Sequence, residues 1–131
     1  MRKMELSKLI KNYKNEHNQD NYNKILLNIF SDIDKTLILP SKVRKQKNGF
    51  DLKSIYDSSG GMYLVAYTGK SFSERTDEAF ISITIRGIID KVLSDDKCLG
   101  ICINPDLEID DSNMMNQCII PKEHIVKILN S

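Results

Sequence analysis

The chain has no tryptophan, few prolines (three) and few glycines (six), and an odd number of cysteines, three. Cys98, Cys102 and Cys118 each sit among apolar residues. That setting argues against a disulfide framework and predicts reduced, buried thiols in a cytoplasmic protein. Charge of one sign is missing too. Nineteen basic residues stand against eighteen acidic ones, a net charge of +1. No global field would draw the chain to nucleic acid or an anionic membrane, so a partner has to be recognised by shape and local chemistry. Long apolar runs are also absent, since nothing approaches the roughly eighteen residues of a spanning helix. The opening Met1-Arg2-Lys3-Met4-Glu5 is followed by alternating apolar and charged residues, which reads as neither a signal peptide nor an anchor.

What is present suffices for one core. Over 131 residues, 40% are hydrophobic, with five Tyr and four Phe among them. A chain of that size folds as one domain without metal or disulfides to hold it. The organising stretch is Met62-Tyr63-Leu64-Val65-Ala66-Tyr67, flanked by Gly60-Gly61 and by Thr68-Gly69. Without polar alternation, so short a run predicts a strand covered on both faces. Cys98-Leu99-Gly100-Ile101-Cys102-Ile103, closed by Asn104-Pro105, has the same character and should lie near it.

Around these strands the periodicity changes. Leu6, Leu9, Ile10 and Tyr13 carry the i, i+3, i+4, i+7 stripe of an amphipathic helix from Leu6 to Asn15. Tyr22, Ile25, Leu26, Ile29, Phe30 and Ile33 repeat it, with Asp20 placed to cap. Residues 1–34 therefore predict a helical hairpin leading into the domain. Thr36 to Leu39 predicts a strand ended by Pro40, and Phe50 to Tyr56 another, joined to the central strand by turn chemistry at Asp57 to Gly61. The basic residues Lys42, Arg44, Lys45 and Lys47 have no aromatics between them and read as a solvated loop.

Phe80 to Ile83 predicts a short strand. Thr84 then caps a helix with the stripe Ile85, Ile88, Ile89, Val92 and Leu93, in which Gly87 costs about 1 kcal/mol. Strand, helix and strand in that order permit a parallel crossover into Cys98 to Ile103. Ser71 to Glu78 reads as a surface loop, and Leu107 and Ile109 as a small extra strand in an acidic stretch. Cys118-Ile119-Ile120 predicts a last strand, and Pro121 suits the first position of a final helix docked by Ile125, Val126 and Leu129. The expected fold is α/β (α+β): one small domain spanning 1–131, with a mixed sheet, two N-terminal helices, a crossover helix and a C-terminal helix.

Two motifs carry possible chemistry. Phe30-Ser31-Asp32-Ile33-Asp34-Lys35-Thr36 resembles the first motif of haloacid-dehalogenase-type phosphohydrolases, and Val65-Ala66-Tyr67-Thr68-Gly69 the second. By that resemblance Asp32 would be nucleophile, Asp34 general acid/base beside Mg²⁺ and Thr68 a phosphate ligand. Such chemistry needs both aspartates at a metal-facing strand end. Here helical periodicity runs through Ile33, which puts them at a helix end instead, and Asp95-Asp96 lacks the context of a second acidic pair. Cys98, Cys102, Cys118 and His124 include metal-ligand types, but thiols inside apolar strands lack the close turn spacing of zinc sites, so no metal is expected. Cys98 and Cys102 should share one strand face, and His17 reads as exposed. Asn104-Pro105 and Thr68 end central strands, where α/β sheets place ligands, although turn hydrogen bonding explains them equally well.

The order of features also resembles the SseB protein N-terminal domain family. Leu37 to Pro40 fits its first strand, and Tyr63-Leu64-Val65-Ala66-Tyr67-Thr68 its Tyr-Leu-x-x-Phe-Thr motif, with Tyr67 in place of Phe. Gly100-Ile101-Cys102-Ile103-Asn104-Pro105 fits its Gly-Ile-x-Ile-Asn-Pro element. The resemblance implies a bacterial cytoplasmic interaction or regulatory domain, without enzymatic activity or cofactor, and with a protein partner. A narrower expectation is an immunity or inhibitor protein masking a toxin. Its interaction surface would include Thr68, Asn104, Pro105, Asp106, Asp110 and Asp111.

Overall fold

The computed structural model describes residues 5–43, 50–52, 54–57, 59–69, 80–105 and 116–130. The expected features at 44–49, 70–79 and 106–115, including the extra strand and the acidic Asp106, Asp110 and Asp111, lie outside the described residues.

Helix α1 runs Leu6–Asn15 as its apolar stripe predicts, burying Leu6, Leu9 and Ile10. Helix α2 runs Gln19–Ser31 and buries Tyr22, Ile25 and Ile29. Its cap is Asn18, not Asp20: the Asn18 backbone is extended and its side-chain oxygen accepts from the Asn21 N–H at 2.8 Å. Asp20 lies within the first turn and pairs with Lys24 at 3.2 Å. The helix stops at Ser31, with Asp32 at the C-cap and Ile33 in the turn beyond.

Strand β1 spans Thr36–Val43, so Pro40 does not end it. It changes partner there instead. Thr36 to Pro40 pair antiparallel with β5 (Phe80–Thr84), whereas Ser41 to Val43 pair with β2 (Phe50–Leu52). Ile38 turns its N–H and C=O away from β5, towards Tyr67. Two residues on, the bare nitrogen of Pro40 faces the same side, between the Tyr67 bridge and the start of the β2 ladder, where no donor is needed. The expected strand from Phe50 to Tyr56 is in fact two, β2 and β3 (Ser54–Tyr56), and β3 pairs with β4 (Met62–Ala66). Asp57 shapes the β3–β4 turn, accepting from Ser59 N–H and Oγ at 3.0 and 2.8 Å and from Gly61 N–H at 2.7 Å. The Ser59 hydroxyl and these amides hold the Asp57 carboxyl below its ordinary pKa.

Strand β4 runs parallel to β6 (Cys98–Ile103), which pairs antiparallel with β7 (Cys118–Pro121), giving the order β3-β4-β6-β7. Ile38 and Tyr67 bridge this sheet to the β2-β1-β5 sheet through bonds of 2.9 and 2.8 Å. Since β5 opposes β1 and β1 opposes the end of β4, β5 and β6 run the same way. Helix α3 (Ile85–Ser94) joins them as the expected parallel crossover. Thr84 caps it, accepting from Gly87 N–H at 3.1 Å. Gly87 has a reason to be there, because a Cβ would lie 2.9 Å from a methyl of Ile83. Leu93 is exposed despite its place in the predicted stripe.

Pro121 is the N-cap, not the first residue, of helix α4 (Lys122–Leu129). Of its expected docking residues only Ile125 is buried, and Val126 and Leu129 face solvent. The four described helices all contribute to one core with Leu37, Leu39, Leu64, Ala66, Ile101, Ile103 and Ile120 of the sheet. The opposite face is covered as well, since Val65 and Tyr67 are buried there with Ile38 and Ile55 against them. This is a single small α+β domain with a central strand buried on both sides.

The β4–β6 register slips between Met62 and Tyr63, opposite Cys98 and Gly100, leaving Leu99 as an extra, exposed residue. That bulge overturns the expectation that Cys98 and Cys102 share a face. Cys98 packs in the helix-side core, while Cys102 lies opposite Val65 on the other face. All three thiols are buried, and none is joined in a disulfide. Burial pushes the Cys118 thiol up to about 12 from 9.0, against a smaller opposing pull from Lys14. Folding therefore favours the protonated thiol. This contribution is complete below pH 9, where the unfolded thiol begins to ionise, and is lost as pH climbs towards 12. The native protein should not react with a thiol reagent such as DTNB at neutral pH, and should react at all three cysteines once denatured. Prompt labelling of the folded protein would contradict this burial.

Candidate functional site

The structure brings Thr68 and Asn104 together at the ends of β4 and β6. Asn104 is the one described non-glycine residue with positive φ, 52°, a left-handed conformation that Asn tolerates better than most residues. Its N–H donates to the Ala66 carbonyl at 2.9 Å. Its side-chain oxygen accepts from Thr68 N–H at 2.9 Å, and its Nδ2 donates to Thr68 Oγ1 at 3.1 Å. Lys14 of α1 donates to the Asn104 carbonyl at 2.6 Å, tying the helical hairpin to the same point. Asn104 and Pro105 are buried. These strand ends are latched to each other by the turn hydrogen bonding the sequence allows. Asn104→Ala should cost about 2–3 kcal/mol in urea unfolding, by stranding Thr68 N–H and straining the left-handed backbone. Asn104→Asp, which keeps the acceptor, should cost less than the alanine variant; equal losses would argue against the latch.

Asp32 and Asp34 lie apart from these strand ends. They sit in the α2–β1 turn, before the strand and not at its C-terminal end, and Asp34 pairs with exposed Arg86 at 3.3 Å. Exposed pairs of this kind contribute at most about 1 kcal/mol. The turn's carbonyls have a structural task. Ile33 and Lys35 accept from the N–H groups of Arg86 and Ile85, both at 2.8 Å, and so satisfy the start of α3. Thr68 opens on a cleft of about 410 Å³ with Lys35, Asn28, Ser7 and Glu5, and neither aspartate lines it. Among the described residues no cluster of three or more His, Cys, Asp or Glu side chains could hold a metal ion.

Sequence reasoning missed a second place. Both histidines of the chain converge with Tyr13 and Tyr22 on an open cleft of about 420 Å³, between the α1–α2 turn and the outer edge of β7. Tyr13 stacks on His17 with ring centroids 4.2 Å apart and leans on Tyr22 at 5.6 Å. Tyr22 meets His124 edge-on, and its hydroxyl lies 2.6 Å from His124 Nδ1. His17 Nε2 lies 3.2 Å from the Asn116 carbonyl, which can only accept, so that nitrogen carries the proton. Burial, with the Cys118 sulfur nearby, raises the pKa of both tyrosines and keeps their hydroxyls protonated. Asn18, Gln19, Gln117, Ile119 and Pro121 complete the lining, which has no Asp, Glu, Lys or Arg among the described residues. The tyrosines occupy helix-stripe positions and so look like core. Nothing in their spacing shows that His124, about a hundred residues on, closes the group. Comparison of the chain with protein-family models, curated proteins and solved structures gave no match in any of the three.

Proposed function

We propose that this chain is a protein-interaction or regulatory domain of the kind its SseB-like motifs imply, acting by binding and not by catalysis. The observation that carries the reading is the open cleft at the β7 edge, faced with Tyr13, His17, Tyr22 and His124. Aromatic side chains present large, rigid, amphipathic surface and dominate the energetic centres of protein interfaces. The latch between Thr68 and Asn104 supports the same reading, because it engages in internal bonds the polar groups that a strand-end ligand would use.

Affinity capture from a bacterial lysate, followed by titration of the purified partner, tests it. The expected result is one stoichiometric protein whose binding weakens at least about tenfold with Tyr13→Ala, the loss of an interface hot spot. A toxin-like partner would narrow the role to immunity. Mg²⁺-dependent phosphate-ester hydrolysis that disappears in Asp32→Asn would overturn the proposal.

A further inference from the structure

We infer that the cleft beside β7 receives an extended, uncharged peptide segment of a partner protein as an added strand, hydrogen-bonded to Ile119. This deepens the interaction reading and rests on it. β7 is the terminal strand of its sheet among the described residues. The direction of its peptide groups follows from Gly100. A Cβ there would collide with the Ile120 carbonyl oxygen, so Ile120 points its carbonyl towards β6. Peptide groups alternate along a strand, so Ile119, one residue earlier, turns both its N–H and its C=O outward. Ile119 and Pro121 line the cleft, so it runs along that outward edge. A donor and an acceptor on one residue are what an incoming strand pairs with.

The walls fit the same occupant. The described lining side chains offer aromatic faces, amides and imidazoles, with no Asp, Glu, Lys or Arg among them to compensate a charge. His17 turns Nε2 to the Asn116 carbonyl, and Nδ1 is the second polar atom of its ring. The second ring nitrogen of His124 has no partner among the described residues, and the Tyr22 hydroxyl at its Nδ1 can donate or accept. His124 can therefore present either a donor or an acceptor to a peptide group. One peptide N–H and one C=O satisfy this pair without introducing a charge.

The test is a phage-displayed library of random linear peptides, panned on the wild-type domain, with selected peptides then measured as free ligands. Uncharged, extended binders are expected, and they should slow hydrogen exchange at the Ile119 amide. Ile119→Pro removes the outward N–H of an edge strand, so it should keep a cooperative melt and weaken those peptides about tenfold, whereas Ile119→Val, which trims the side chain and keeps the N–H, should bind them within about threefold of wild type. If the variant does not fold, Ile119 exchange in the wild type decides alone. A library without binders, binders that leave Ile119 exchange unchanged, or full affinity for a folded Ile119→Pro would each overturn strand addition. A lysate partner that binds while the peptides fail would remove this inference and leave the interaction reading standing. Failure of both would remove both.

Discussion

Ile101→Asp should leave no cooperatively folded protein. Ile101 is 6% exposed in β6, with Leu64 of β4 opposite it on one side and Ile120 of β7 on the other. Beneath it the core closes to a void of about 10 Å³ walled by Ile29, Phe30, Leu37, Ile85, Ile88, Ile89 and other apolar side chains. A space of that size and lining holds no water to solvate a carboxylate. The substitution removes an isoleucine's burial, about 2–5 kcal/mol, and adds several more for the unpaired polar group. Together these approach the roughly 5–15 kcal/mol that holds such a domain together. Ile101→Val, which keeps the position apolar, should cost only about 1 kcal/mol. Soluble expression with thermal unfolding by circular dichroism separates the two. A soluble Ile101→Asp variant with a sharp transition would refute the central place given to this strand.

Gly100→Ala should cost about 3–4 kcal/mol, large for a single methyl group. Its Cβ would strike the Ile120 carbonyl oxygen and sit 3.0 Å from Pro121 Cα and 3.1 Å from the Ile120 carbonyl carbon. Every one of those atoms is backbone, so no side chain can rotate to make room. β6 and β7 would have to separate, loosening the pairing of Ile101 with Ile120. Urea unfolding of the variant is the measurement. Stability within about 0.5 kcal/mol of wild type, the range of an ordinary surface change, would contradict this close approach.

The element order was legible because local physics dominates where a stripe or an apolar run is long. Leu6 to Tyr13 and Ile85 to Val92 show period 3.6, and Met62 to Tyr67 shows none. What could not be read depends on partners distant in the chain. Pro40 stays inside β1 because β1 changes neighbours at that point. Cys98 and Cys102 part company because a bulge at Leu99 breaks the alternation. The candidate site divides in the same way. Thr68 and Asn104 were identifiable as strand ends, but their bonding to each other needs a register across 36 residues. His17 and His124 looked unrelated because only the fold brings α4 against the helical hairpin.

The seam where Ile38 meets Tyr67 bears on how the molecule breathes. The β2-β1-β5 ladder and the β3-β4-β6-β7 ladder are joined in hydrogen bonds by that bridge, at the edge of β4 beyond Leu64, which lies past the Ser54 end of β3. A local opening can release the bridge without unzipping either ladder, because its two bonds belong to neither. Native-state hydrogen exchange should accordingly find the Ile38 and Tyr67 amides released at a lower free energy than the row Leu64, Ile101 and Ile120. Those three should exchange only when the whole domain unfolds, making the molecule two cooperative units that share one core.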